Sequence, residues 1–345
     1  MSQDVAFAVS NRTGFKNTDR HLEEPLRREI NLIVAHTLGQ LRSESLIHIR
    51  DTVNDGPIHF VLGPKLGEGG FSSVYEVQGE PTLACKFLSA ETLSNKERLP
   101  TAAADIVREA HFLSHLEHPN IIALRGIGSL DDMAQYYLLI DKIQTPLSAK
   151  IEEWGLATAE NEQLHERLVY AMSIVQAMKY LHSLKIVYRD LKIDNLGLDA
   201  KNQILLYDFG LAKTLSGQSD NGKYKLTGNT GSWAYMAPEV AKGYKYNFSV
   251  DVYSFGIVLW ELCNGKFAFE GKQFDKEARP SIFRGVWPKA LEILMMECWH
   301  WNPNQRPSFV QIEERLTAIM EELHSSGGAS SILSWFKDST MSLLS

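Results

Sequence analysis

Ile186-Val187-Tyr188-Arg189-Asp190-Leu191-Lys192-Ile193-Asp194-Asn195-Leu196 is the stretch on which the fold turns. An apolar pair opens it, and Asp190, Lys192 and Asn195 follow within six residues. An Asp so placed can orient a hydroxyl and accept its proton. A Lys can hold a phosphoryl group, and an Asn can ligate Mg²⁺ through its oxygen. Downstream, Leu206-Tyr207-Asp208-Phe209-Gly210 sets a carboxylate at a strand end, where a divalent cation can bind. Gly210 permits an unusual backbone turn after it.

Upstream, Leu66-Gly67-Glu68-Gly69-Gly70-Phe71-Ser72-Ser73-Val74 reads as a hairpin. Its glycines let the backbone approach phosphate oxygens and offer N–H groups to them. No Gly-Lys-Ser/Thr closes the run, so it is not a Walker-type loop. In Leu83-Ala84-Cys85-Lys86-Phe87 one Lys sits in an apolar strand. An edge-strand Lys would send its ammonium to water; a buried one needs a carboxylate partner. Glu109, on a helix expected over 102–116, is the candidate.

Around these motifs the chain changes character. Leu26, Ile30, Ile33, Val34, Leu38 and Leu41 recur at helical spacing behind Pro25, so residues 1–57 read as an extension carrying one amphipathic helix. That helix docks on its own domain or on a partner. Strands are expected over 58–66, 73–78, 82–88, 121–127 and 135–141. From about residue 146 the pattern turns helical, with helices over 160–183, 249–264, 288–300 and 307–323. The prediction is an α+β chain: a small β-rich lobe (58–145) with one helix, then a larger α-helical lobe (146–322), then a tail (323–345).

Composition excludes several classes. Hydrophobic residues are 44% and charged residues 22%, an ordinary globular balance. Lys+Arg number 35 against 42 Asp+Glu, a net charge of -7, which argues against nucleic acid as a partner. No signal peptide and no transmembrane segment is read; the apolar run from Tyr253 to Cys263 is too short to span a bilayer. Cys85, Cys263 and Cys298 are the only cysteines and lie far apart, which fits a reducing compartment, cytoplasmic or nuclear. His111, His115 and His118 read as packing residues rather than a zinc site.

In order and spacing these motifs resemble the eukaryotic protein kinases, over about 58 to 322. Ala237-Pro238-Glu239 follows as the family's Ala-Pro-Glu does, and Arg306 would pair with Glu239. Lys192 in Asp-Leu-Lys-x-x-Asn resembles the serine/threonine type. Asp251–Leu262 and Gly231–Glu239 look like the tyrosine-kinase-like branch. The resemblance implies a protein serine/threonine kinase that uses ATP and Mg²⁺ or Mn²⁺ on protein substrates. By it, Asp190 takes the substrate hydroxyl's proton, and Lys86 pairs with Glu109 and holds phosphates. Lys192 steadies the moving phosphoryl group, and Asn195 and Asp208 bind the metal. Leu66, Gly67, Gly69, Val74 and Ala84 would line the nucleotide pocket, with Ile140 as gatekeeper and the backbone of 141–143 (Asp141, Ile143) as hinge. Arg189 would receive a phosphate on Thr227 or Thr230, and Ser232 would hydrogen-bond near Asp190. Tyr188 stands where the family has His. Gly197 replaces a Leu and is expected to remove an apolar floor from the adenine pocket. The short stretch 265–287 leaves little room for a helix the family places there. A pseudokinase scaffold is the rival reading, and a small-molecule kinase on a similar fold a third.

Overall fold

Alternation of side chains along five strands builds the first layer. β1 (Leu62–Glu68), β2 (Ser72–Val77), β3 (Glu80–Leu88), β4 (Leu124–Ile127) and β5 (Tyr137–Asp141) form an antiparallel sheet in the order β1-β2-β3-β5-β4. Ala84, Leu88, Leu138 and Ile140 face the main core. Cys85, Leu139, Tyr137 and Val77 face the opposite side, where Phe60 covers them in a second, smaller cluster. The computed structural model describes residues 22, 24–44, 60–128, 133–155, 161–216, 220–228, 230–269, 279–280 and 287–327.

Helix α2 (Ala90–Ser94) is capped by Ser89, whose Oγ accepts the Thr92 N–H at 3.1 Å. Helix α3 (Leu99–Leu113) follows and carries Glu109 on its buried face. It starts before residue 102 because Pro100 fits the first turn of a helix, where no amide partner is needed. The expected strand over 121–127 shortens to β4 for a different reason. The amide of Ile122 bonds to Leu206 O at 3.0 Å, and Leu206 N bonds to Asn120 O at 2.9 Å. Residues 120–122 thus tie the upper layer to the lower one instead of extending the sheet.

Helix α1 (Glu24–Glu44) lies against α3. Ile30 and Val34 are buried in the core that α3 shares, and Thr37 is buried beside them. Leu26, Ile33 and Leu38 pack partly buried against the same core, while Leu32, on another face, is 72% exposed.

The second lobe is helical: α4 (Leu147–Gly155), α5 (Asn161–Ser183), α6 (Pro238–Ala241), α7 (Ser249–Asn264), α8 (Lys289–Cys298) and α9 (Phe309–Gly327). Every residue of α7 from Val250 to Cys263 is buried, as an all-round apolar helix at the centre of a lobe must be. It ends at Gly265, in the left-handed conformation (φ 59°), whose N–H caps Glu261 O at 2.9 Å. Short strands sit on the lobe's upper surface: β6 (Thr145–Pro146), β8 (Leu196–Leu198) and β9 (Ile204–Leu206) in one sheet, β7 (Ile186–Val187) and β10 (Lys213–Thr214) in another. Residues 188–195 run between β7 and β8, so the motif at 186–196 is held at both ends by strand pairing. The expected absence of a helix within 265–287 falls mainly on residues outside those described. All three cysteines are buried thiols. No helix among the described residues is long and apolar enough to cross a membrane.

Candidate active site

Asp251, at the start of α7, organises the loop from which the site is built. Its buried carboxylate accepts the Tyr188 amide at 2.9 Å and the Arg189 amide at 2.8 Å, and His182 Nε2 lies 2.9 Å away. Held this way, Arg189 adopts φ 72°, a region that residues with a Cβ seldom enter. Asp208 does the same at φ 66°. Such backbone outliers persist only where surrounding bonds enforce them. Tyr188 supplies one: it is fully buried, donates to Tyr207 O and packs edge-on against Phe209 at 5.2 Å.

The Asp190 carboxylate then meets four donors. Asn195 Nδ2 reaches Oδ2 at 2.9 Å, and Lys192 Nζ lies 3.0 Å from the same oxygen. Ser232 N–H and Oγ reach Oδ1 at 2.9 and 3.0 Å. Lys192 Nζ also donates to Ser232 Oγ at 2.8 Å. Gly231 lets the chain pass this close: its φ is 95°, and a Cβ there would lie 2.4 Å from Arg189 O. Charge-assisted bonds of this kind fix a carboxylate's direction.

Lys86 and Glu109 meet as expected, at 2.5 Å, with Glu109 buried. Asp208 Oδ1 lies 3.9 Å from the same ammonium. Burial opposes the charge on Lys86, but Asp208 and Glu109 outweigh it and hold the ammonium's pKa above its ordinary value. Burial pushes the Glu109 carboxyl up, with Lys86 pulling against it. A cavity of about 230 Å³ joins Gly69, Ser72, Lys86, Glu109, Asp190 and Asp208. Asn195 directs its amide nitrogen to Asp190, at 2.8 Å to the backbone oxygen and 2.9 Å to Oδ2. Carboxylate and amide oxygens suit a hard divalent cation that keeps other ligands from phosphate and water. Among the described residues no cluster of three or more His, Cys, Asp or Glu forms an all-protein metal cage.

The apolar walls fall mostly where the sequence puts them. Val74, Lys86 and Leu138 are cross-strand partners, as are Ala84 and Ile140, so all point to one face of the sheet. Ile140 is 6% exposed at the end of β5. Leu66 is 42% exposed above the cleft, next to Gly67. The Asp141 side chain turns away from the cleft into a bidentate pair with Arg125 at 2.7 and 3.1 Å. It lines a larger cavity of about 840 Å³ behind the hinge, remote from Asp190. The amides of Asp141 and Lys142 are likewise bound to Ala123 O at 3.2 Å and Thr82 O at 2.7 Å. Among the described residues no hydrogen bond of the Ile143 N–H is found.

One expectation needs correction, and it concerns Gly197. Leu196 and Leu198 point down and are buried, so position 197 points up. That space is filled: Ile143 Cγ2 lies 2.4 Å from where a Gly197 Cβ would be. The Ile143 side chain thus occupies the space that a larger residue at 197 would take.

Arg189 Nη1 donates to Thr227 Oγ1 at 2.9 Å, and Thr230 Oγ1 in turn donates to Thr227 O at 3.2 Å. Glu239 and Arg306 form a buried bidentate pair at 2.6 and 2.9 Å. His115 Nδ1 donates to His111 O at 2.5 Å and its ring packs against that of His111 at 4.6 Å, while His118 stacks on Tyr180 at 5.1 Å. Residues that sequence reading passed over also border the cleft. Arg98 clamps the glycine-rich turn, donating to Gly70 O at 2.9 Å and lying over the Phe71 ring. Asp105 lines the cavity one turn before Glu109, on the same helix face; that i, i+4 spacing was the available signal.

Comparison with known proteins places these features together. A family model described as "Protein kinase domain" matches residues 60–316. A probable serine/threonine-protein kinase of Dictyostelium discoideum is 33% identical over 270 residues, which are 75% of this chain and 28% of that protein. Serine/threonine-protein kinase VIK of Arabidopsis thaliana is 32% identical over 288 residues, 79% of this chain and 63% of VIK. Serine/threonine/tyrosine-protein kinase HT1, also of Arabidopsis thaliana, is 31% identical over 275 residues, 76% of this chain and 65% of HT1. The chain thus spans less than two thirds of the first two relatives.

Proposed function

The chain belongs to the protein kinase family, and on that premise we propose that it transfers the γ-phosphate of ATP to serine and threonine hydroxyls of proteins. The observation that carries this reading is the Asp190 carboxylate, fixed by Asn195, Ser232 and Lys192 in one cavity with Lys86, Glu109 and Asp208. In it Asp190 orients the acceptor hydroxyl and takes its proton. Lys86, kept charged by Glu109, holds phosphate oxygens, and Lys192 can swing from Ser232 to the phosphoryl group in flight. The Gly67–Gly70 turn covers the phosphates with backbone N–H groups. Leu66, Val74, Ala84, Ile140 and Ile143 enclose the base, and the Ile143 N–H is the hinge donor. Asn195 and Asp208 would hold Mg²⁺, with Mn²⁺ as the alternative, and the cation would neutralise phosphate charge.

The kinase domain is assigned to 58–322. Phosphorylation of Thr227, which already bonds to Arg189, or of neighbouring Thr230 would order the loop through charge-assisted bonds. Partner docking through α1 would use the face bearing Leu32. The unpaired buried thiols suit the cytoplasm or nucleus.

Two experiments belong here. Transfer from labelled ATP to degenerate peptides is expected to yield phosphoserine and phosphothreonine; label confined to tyrosine would overturn the acceptor assignment. Gly197→Leu is expected to weaken ADP binding roughly tenfold, as an overpacking cost of about 1–3 kcal/mol would. Adding Ile143→Ala should restore it, as calorimetric titration would show. Unchanged affinity in the single variant would mean the Ile143 side chain is not the floor.

A further inference from the structure

Arg108 plays no part in the roles assigned above, yet it bridges the two halves of the cleft. Its Nη1 donates to Gly210 O at 2.6 Å and to Asp105 Oδ1 at the same distance of 2.6 Å. Gly210 is two residues past Asp208, while Arg108 is the α3 residue next to Glu109. Packing at Gly210 is close: a Cβ there would lie 3.3 Å from Asp105 Cβ, so a larger residue would ask α3 to give by a few tenths of an ångström. The next carbonyl is held from the other lobe: Arg189 Nε donates to Leu211 O at 2.6 Å. Consecutive carbonyls are thus gripped by two arginines, one on α3 and one beside Asp190. The side chains of Arg108 and Asp105 are 25% and 22% exposed, so water screens this bridge only in part.

We propose that Arg108 is a positioning residue for phosphoryl transfer: by fixing the Gly210 carbonyl it holds the Asp208 carboxylate in place for the cation and makes α3, with Glu109, move together with it. This rests on the reading of Asp208 as a metal ligand. The consequence is specific. Loss of the Arg108 bond loosens metal-dependent binding, while the Lys86–Glu109 pair, which α3 carries directly, still receives metal-free nucleotide.

The test uses the full chain with Arg108→Met, which keeps length and loses charge, and Arg108→Lys, which restores a donor. Calorimetry measures ADP affinity with and without Mg²⁺, and transfer from labelled ATP is followed against Mg²⁺ concentration. Arg108→Met is expected to lose most of the gain in ADP affinity that Mg²⁺ gives and to need about tenfold more Mg²⁺ for half-maximal transfer, as loss of a charge-assisted bond would produce. Metal-free ADP affinity should stay the same, and Arg108→Lys should recover most of the effect. Equal Mg²⁺ dependence in wild type and Arg108→Met overturns the proposal. So does a uniform loss, with and without metal, that Arg108→Lys fails to rescue, because that would mark a purely structural residue. If wild type binds Mg²⁺-ADP but transfers no phosphate, the kinase reading fails while the calorimetric comparison still decides the role of Arg108. If Mg²⁺ does not enhance ADP binding in wild type, the proposal falls with the metal assignment.

Discussion

Lys86→Met is expected to cut phosphate transfer roughly 100- to 1,000-fold, the usual cost of removing one preorganised donor to developing charge. The substitution keeps the apolar stem and deletes only the ammonium. That ammonium lies 2.5 Å from Glu109 and 3.9 Å from Asp208, so its loss unpairs one buried carboxylate and leaves a second without its nearest cation. The stability cost should be smaller than removal of a buried charge partner usually brings. Burial already pushes the Glu109 carboxyl up, so it can take a proton and become neutral. The variant should therefore fold, with an unfolding midpoint near that of wild type, and fail in initial-rate assays of transfer. Retention of more than half the wild-type rate would show that another cation holds the phosphates.

The second large effect is on stability. Arg306 is fully buried and spends its guanidinium on both oxygens of Glu239, on His300 O at 2.8 Å and on Ser249 O at 3.0 Å, with the Tyr253 ring beneath it at 5.0 Å. One residue thereby joins the segment after α8, the start of α7 and the Ala237-Pro238-Glu239 turn that ends the loop carrying Thr227. Arg306→Ala strands a buried carboxylate, and Glu239→Ala strands a buried guanidinium. Each single change should cost about 3–5 kcal/mol in denaturant titrations. The double variant should cost far less than the sum, because neither charge is then left alone. Single variants within about 0.5 kcal/mol of wild type would mean the pair is not holding the lobe.

What could be read from the chain alone follows the range of each interaction. Asp190, Lys192 and Asn195 sit within one short stretch, and their bonds to one another are local, so spacing conveyed the constellation. Lys86 and Glu109 are 23 residues apart, but a lone Lys in an apolar strand demands a buried acid, and the stripe of α3 offered one. The long helices were legible because their apolar period is repeated; the shorter α2, α4 and α6 were not. Of the short strands, β7 and the end of β9 were marked by their apolar residues, while β6, β8 and β10 were not, since two or three residues carry no period and pair with distant segments. The direction of the Asp141 side chain depended on its register against β3 and on Arg125, neither of which spacing reveals. The same holds for Ile143 over Gly197 and for Arg108, whose partner Gly210 lies 102 residues away. Gly197 illustrates the limit well: a missing side chain reads as a gap until the neighbour that fills it is seen.

The most direct measurement is acid-quenched transfer from γ-labelled ATP, with Mg²⁺ present, to the protein itself and to mixed Ser/Thr peptides, by wild type and Asp190→Asn side by side. The substitution keeps the size of a side chain held by Ser232 and Lys192 but removes the carboxylate that takes the proton. Labelled phosphoserine or phosphothreonine from wild type, and a signal at least about 100-fold lower from Asp190→Asn with ADP affinity unchanged, is the result predicted. Equal signals from the two proteins, or none from either, would contradict it and leave a nucleotide-binding scaffold.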